Sequence, residues 1–264
     1  EVTIPAPFAV GRFAVTLDGR SQMVAEVGPG QPIGEIAFLA GGTRTATVTA
    51  LRDSVVLRLG RCEFEALSAK SHGVSPQERQ PGFATRSASR TIAIIRAGAS
   101  ELPEDFVDRL ADVFASRHRT ILVRAETASS VLPPGTPLDS AEATRALNAL
   151  EGAYDYVLYL ADHATTAWSE KAIRQADLVL AAGWHGADPT PNALERLASK
   201  LLPAEAQRLV LLHPTRAPIA GTARWLDGRS IAMHHHVALD EAGDTERLFR
   251  FVHGSALGLI ACGC

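Results

Sequence analysis

The pattern of apolar and polar positions divides the chain into two parts with different rhythms. Residues 11–20 alternate apolar with polar side chains and close on an Asp-Gly pair, which is typical of a β-hairpin turn. Residues 22–27 supply the returning strand, and residues 45–50 and 54–59 are two more short strands with β-branched side chains. Short strands at this spacing predict a small β sandwich or jelly roll.

From residue 91 onward, buried-type strands alternate with amphipathic helices. Residues 91–95 form a continuous apolar run, which is typical of a strand covered on both faces. A helix is predicted over 103–116, because its apolar residues recur at intervals of three and four. The same reasoning predicts strands at 120–123, 156–160, 178–182 and 209–212 and helices at 140–151, 166–175 and 192–202. Repeated strand–helix units predict a mostly parallel sheet with helices on both faces, a three-layer α/β architecture.

The segment between the two parts is polar and contains Gly, Pro and Ser throughout, which is a linker composition. We therefore predict a first domain over residues 1–69, a linker over 70–90 and an α/β domain over 91–264. Because only ten residues precede Gly11, we expect the β strands of the first domain to be incomplete.

Composition narrows the possible partners and compartments. The net charge of −3 provides no basic field for a nucleic-acid backbone, so we expect no nucleic-acid partner. Three cysteines do not make a secreted disulfide framework, and no stretch resembles a signal peptide or a spanning helix. These features predict a cytoplasmic location. They leave open a homo-oligomer and a peripheral membrane contact of a longer parent protein.

Residues 34–48 carry the residue types that binding a cyclic nucleotide requires. Such a ligand presents a ribose 2′-hydroxyl and a cyclic phosphate with one negative charge. Backbone amides in a short helical turn can cradle the phosphate, and an arginine adds a charge-assisted contact. A carboxylate can accept a hydrogen bond from the ribose hydroxyl.

The sequence Gly34-Glu35-Ile36-Ala37, followed by Arg44-Thr45-Ala46-Thr47-Val48, resembles the phosphate-binding cassette of the cyclic-nucleotide-binding domain family. The resemblance needs no insertion or deletion. It implies that Glu35 binds the ribose hydroxyl, that Arg44 binds the phosphate, and that neighbouring amides line the pocket. The implied ligand-binding residues are Gly34, Glu35, Ile36, Ala37, Arg44, Thr45 and Ala46. The implied ligand is a regulatory cyclic nucleotide, cyclic AMP in the first instance, and no cofactor is expected.

The α/β part resembles a second family. Residues 156–159, the segment Ile173-Arg-Gln-Ala-Asp177 with the apolar strand after it, and residues 209–213 are similar to the region before the catalytic domain of neuropathy-target-esterase-like, patatin-type phospholipases. His234-His-His236 fits bacterial relatives. The resemblance implies that the chain is the N-terminal part of such an enzyme, and that the α/β domain over residues 91–264 leads into the start of the patatin-type catalytic domain. The Gly-x-Ser-x-Gly elbow that carries the nucleophile is absent from residues 1–264, so we expect it beyond them and assign no catalytic residue here.

These resemblances predict a cyclic-nucleotide-sensing regulatory region of a patatin-type serine lysophospholipase or phospholipase. The missing catalytic domain would then bind the phospholipid or lysophospholipid and hydrolyse its ester. The alternative is a vestigial nucleotide-binding fold that serves as an interaction or oligomerisation scaffold without a ligand. A transcription factor of the cyclic-AMP receptor type is disfavoured, because it requires a helix-turn-helix and a basic surface.

Three other groups of residues suggest chemistry and are better explained by structure. Adjacent residues of a strand point to opposite faces, so His234–His236 cannot all bind one metal, and we predict no metal site. The first strand–helix turn, residues 96–100, lies where a P-loop would lie but lacks the Gly-Lys-Ser/Thr ending that holds phosphates. Asp162, His163 and Ser169 include a triad's residue types, but no elbow positions the serine.

Overall fold

The computed structural model describes residues 9–17, 23–28, 46–56, 58, 60, 62–63 and 90–255. In the first part, β1 (Ala9–Val10) pairs antiparallel with β5 (Val55–Val56). A second antiparallel sheet places β2 (Phe13–Leu17) between β3 (Met23–Val27) and β4 (Ala46–Ala50). The predicted pairing of residues 11–20 with 22–27 is therefore confirmed. The predicted linker lies largely outside the described residues, and the domain boundary stays a prediction.

The second part is built on six parallel strands, in the order β11-β10-β9-β6-β8-β7. They are β6 (Arg90–Arg96), β7 (Thr120–Val123), β8 (Tyr156–Leu160), β9 (Leu178–Trp184), β10 (Gln207–His213) and β11 (Met233–Ala238). The central strand β6 lies between β8 and β9, both of which follow it in the chain. The predicted fold class, a small jelly-roll-like antiparallel β part followed by a mostly parallel α/β part, is confirmed.

Seven α-helices of this part are described, together with a 3₁₀ turn at Ala204–Ala206. They are α1 (Glu104–Ala115), α2 (Ala125–Val131), α3 (Ala141–Ala153), α4 (Ala167–Gln175), α5 (Ala193–Leu201), α6 (Ala223–Leu226) and α7 (Ala242–His253). Side-chain caps define several starts, because Ser140, Thr166 and Asn192 each accept a hydrogen bond from the amide three residues later.

The sheet separates two cores. Alternate residues of β6 point to opposite faces, so Ile92 and Ile94 pack with α1 and α7. Ala93 and Ile95 face the opposite layer, which contains α4, α5 and the buried Trp225 of α6. A third cluster covers the β7–β8 end of that face with residues of α2, α3 and α4. Helices on both faces complete the predicted three-layer architecture.

Candidate functional site

The last three residues of the predicted cassette, residues 46–48, lie in β4. Ala46 is the first residue of β4 and pairs with Leu17 of β2. The other predicted ligand-binding residues, Gly34, Glu35, Ile36, Ala37, Arg44 and Thr45, lie outside the described residues. Their roles stay predictions, and the structure shows what the cassette is attached to.

β4 leads from the cassette to a turn that contacts the α/β domain. All five residues of β4 pair with β2 in unbroken register. The turn continues this pairing, since the Leu51 amide donates to the carbonyl of Arg12 at 2.8 Å. The next residue, Arg52, leaves the antiparallel sheet and points into the parallel one.

Arg52 is the most deeply placed contact between the two parts among the described residues, with a side chain that is 1% exposed. Its Nη1 donates to the hydroxyl of Thr91 on β6 at 3.0 Å and lies 3.5 Å from a carboxylate oxygen of Asp177. Its Nη2 donates to the carboxylate of Glu151 on α3. One guanidinium thus joins three elements at the amino end of the parallel sheet, a geometry that suits its rigid fork of donors.

A second ion pair lies beside the first. Lys171 of α4 is buried, and its Nζ donates to Asp53 at 2.9 Å and to the hydroxyl of Thr144 at 2.6 Å. The Asp53 amide donates to the carbonyl of Arg174 at 3.1 Å. Sequence reasoning missed these contacts, because a charged Arg-Asp pair in a turn between strands is typical of an exposed turn.

The turn after β6 lies at the opposite end of the sheet, in the position of a P-loop, and its backbone groups are hydrogen-bonded within this chain. The Gly98 amide donates to the carboxylate of Glu195 at 2.9 Å, and the Ala99 amide donates to the carbonyl of Asp188 at 3.2 Å. Asn192 donates to the carbonyl of Gly98 at 3.0 Å. Amides that a P-loop offers to phosphate are therefore occupied by this chain's own oxygens.

The carboxyl ends of β6, β7 and β8 border a cavity of about 230 Å³. In open α/β sheets, ligands bind outside the carboxyl ends of strands, where neighbouring connections leave to opposite faces. Here Arg96 and Arg124 share the lining with Glu104, Glu126 and Asp162. The mixture of charges does not favour a phosphate.

Ser169 lies in the first turn of α4, whose cap is Thr166, and its hydroxyl holds the loop before the helix rather than acting as a nucleophile. It is fully buried, its hydroxyl donates to the carbonyl of Ala164 at 2.8 Å, and it accepts from the amide of Asp162 at 3.0 Å. His163 is exposed in the cavity wall. Asp162 and Ser169 therefore hold the turn that leads into α4, while His163 lines the cavity.

Three imidazoles gather near the carboxyl ends of β9 and β10. The rings of His185 and His213 stack at 4.8 Å, and Nε2 of His213 lies 2.8 Å from Nδ1 of His236. His235 points to the other face of β11 and packs on Phe251 at 5.0 Å. Within the ranges that the structure describes, no group of histidine, cysteine and acidic side chains has the geometry to hold a metal ion.

His235 makes stability depend on pH. The pKa of His235 is lowered to about 4, first by burial and then by the nearby positive charges of Arg208 and Arg247 and by the neighbouring histidines. Between a pKa of about 6.5 in the unfolded chain and about 4 in the folded one, the unfolded state binds more protons. The contribution of neutral His235 to the free energy of unfolding is therefore fully present above about pH 6.5 and is lost as the pH falls toward 4.

We expect His235→Phe to reduce the loss of unfolding free energy between pH 7.5 and pH 4.5 by about 2 kcal/mol. At pH 7.5 the variant should be at least as stable, because Nε2 of His235 is buried without a hydrogen-bond partner among the described residues. Urea unfolding at both pH values measures this. His163→Phe, at an exposed position, is the control; an unchanged pH dependence in His235→Phe would contradict the assignment.

None of the described helices combines the length and the apolarity of a membrane span.

Comparison with known proteins matches both parts of the chain. The model of the neuropathy target esterase family P-loop like domain matches residues 88–255, and the cyclic nucleotide-binding domain model matches residues 9–71. Lysophospholipase nte1 of Aspergillus terreus is 26% identical over 257 residues, which cover 84% of this chain and 17% of that protein. Lysophospholipase NTE1 of Mycosarcoma maydis is 26% identical over 272 residues, covering 86% and 14%.

The chain therefore spans about one sixth of the length of these relatives. The family match covers all six parallel strands and the turn after β6. The second match covers the antiparallel strands and the cassette that leads into β4. The chain belongs to the neuropathy target esterase family, of which it carries the P-loop like domain preceded by a cyclic nucleotide-binding domain.

Proposed function

We propose that the chain is the cyclic-nucleotide-sensing regulatory region of a lysophospholipase of the patatin type. The observation that carries the proposal is the continuity of the cassette with β4, whose far end is fixed to the P-loop like domain by Arg52. A ligand at residues 34–46 would act on a strand that is anchored in the next domain.

The proposed chemistry at the cassette uses the two charged side chains. Arg44 would pair with the cyclic phosphate, and Glu35 would accept a hydrogen bond from the ribose 2′-hydroxyl. The amide of Ala46, the first residue of β4, would line the pocket. Cyclic AMP is the ligand proposed first, and cyclic GMP is the comparison.

The hydrolytic activity is proposed for the whole protein, since the relatives are named as lysophospholipases. Among the described residues, the hydroxyl of Ser169 is occupied by the Asp162 amide and the Ala164 carbonyl of the loop before α4, and we propose a regulatory role for this region. The lipid substrate would be a phospholipid or lysophospholipid bound by a catalytic domain elsewhere in the protein.

We expect calorimetry to detect cyclic AMP binding to the native chain and to show it weakened about 10- to 150-fold by Arg44→Ala, because a charge-assisted hydrogen bond contributes roughly 1.5–3 kcal/mol. Arg58→Ala is the matched control, since Arg58 is an exposed arginine of the same module. Both nucleotides should be titrated. If neither produces heat or a thermal shift with the native chain, the sensor proposal fails and the ligand-free scaffold is favoured.

A further inference from the structure

We propose that Arg52 is a positioning residue that couples the cassette to the P-loop like domain, so that nucleotide binding and docking of the β4–β5 turn stabilise each other. This inference rests on the proposed binding of a cyclic nucleotide at residues 34–46. It adds the route by which occupancy of that site reaches the second domain.

The route begins with a short, stiff connection. Arg44 precedes Arg52 by eight residues, and five of those between them form β4. A strand rises about 3.4 Å per residue, so β4 bridges about 17 Å. Because every residue of β4 is paired with β2, a displacement at the cassette end moves the strand as a unit.

The far end of this connection is held at one buried point. The guanidinium of Arg52 contacts Thr91, Glu151 and Asp177, which belong to β6, α3 and the turn before β9. A planar guanidinium satisfies all three partners in one orientation only. Moving β4 along its length therefore breaks contacts with a buried carboxylate. The contact is then either fully formed or lost, so the two parts have two discrete arrangements.

Two neighbouring contacts reinforce the same point. Arg12 of the antiparallel part lies 3.6 Å from a carboxylate oxygen of Asp177, so this carboxylate receives two arginines from the nucleotide-binding part. Lys171 holds Asp53, the residue after Arg52. The charges of the turn and of the domain surface are complementary, and none of these pairs lies at the carboxyl ends of the strands.

Asp177 and Thr91 provide a built-in reporter of docking. The Thr91 amide donates to Asp177 Oδ2 at 3.1 Å. The Asp177 amide donates to the carbonyl of Thr91 at 2.9 Å and lies 3.0 Å from its hydroxyl. Since Arg52 holds the same carboxylate and the same hydroxyl, hydrogen exchange at these two amides should follow the state of Arg52.

The test is a double-mutant cycle read out by cyclic AMP affinity. Calorimetry on Arg52→Gln and Glu151→Gln should each show binding weakened about five-fold or more, the lower end of typical coupling between sites. The double variant should bind no more weakly than Arg52→Gln alone, because both changes remove one link. Arg58→Gln, an exposed position in the same part, should stay within about two-fold of the native affinity.

Hydrogen exchange supplies the second readout. In the native chain, cyclic AMP should slow exchange at the Thr91 and Asp177 amides, and in Arg52→Gln this response should be lost. If Arg52→Gln does not fold, Arg52→Lys replaces it, since lysine keeps the charge but cannot reach three partners at once.

The outcomes separate the two proposals. Native chain that binds cyclic AMP, with unchanged affinity in Glu151→Gln and no exchange response at the two amides, overturns the coupling while nucleotide sensing stands. Native chain that binds no cyclic nucleotide removes the sensing proposal and the coupling with it.

Discussion

Replacing Gly98 with alanine is expected to lower the free energy of unfolding by about 2–5 kcal/mol, the sum of left-handed backbone strain and overpacking. Gly98 has φ +66°, and a Cβ there would lie 2.4 Å from the Asp188 carbonyl oxygen and 2.7 Å from the ring of Trp225. Neither can yield easily, because one is backbone and Trp225 is fully buried. Urea denaturation measures the change.

Gly135 offers a matched control for this substitution. It has φ +76°, but a Cβ there meets nothing within 4 Å. Gly135→Ala should therefore cost only the backbone strain, about 1–2 kcal/mol. Equal losses in the two variants would show that close packing of the turn after β6 contributes nothing.

The second large effect is expected for Glu195→Ala, which should destabilise the protein by about 3–5 kcal/mol by leaving a buried charge without its partner. Glu195 is almost fully buried; its carboxylate accepts from Arg229 at 2.6 Å and from the Gly98 and Asn192 amides at 2.9 Å each. Arg229 is 5% exposed and also covers the ring of Trp225. Thermal and urea unfolding both report the loss.

Surface pairs provide the comparison for Glu195. Glu246 pairs with Arg117 and Arg250, and all three side chains are more than 40% exposed. Glu246→Ala should change stability by less than about 1 kcal/mol. A Glu195→Ala variant no less stable than Glu246→Ala would contradict the role given to the buried carboxylate.

Most of the regular elements of the α/β part follow from periodicity, and three helices do not. The predicted strand at 91–95 and helix at 103–116 differ from β6 and α1 by one residue at each end. Helix α2 was not predicted, because its seven residues include three Ser or Thr and present one buried side chain, Ala128. Helix α7 was not predicted either, although Leu248, Phe249 and Val252 share a helical face and this spacing indicates a helix.

Strand order and the domain contact could not be predicted in this way. A continuous apolar run shows that a strand is buried on both faces, but not which strands lie beside it. Arg52 and its partners Glu151 and Asp177 are separated by about a hundred residues or more, and nothing local distinguishes Arg52 from an arginine in an exposed turn. The cassette, in contrast, could be predicted from the sequence, because its residues lie close together in the chain and their spacing is informative by itself.

The position of β6 at the centre of the sheet determines when its strand pairs can form during synthesis. The ribosome delivers Arg90–Arg96 long before its two neighbours, Tyr156–Leu160 and Leu178–Trp184, so the middle strand emerges without a partner. The interval is longer for Arg52, because its partner Asp177 is made 125 residues later. The nascent nucleotide-binding part therefore carries Arg52 without its carboxylate partners until Glu151 and Asp177 have left the exit tunnel, so it can dock only after about half of the second domain has been made.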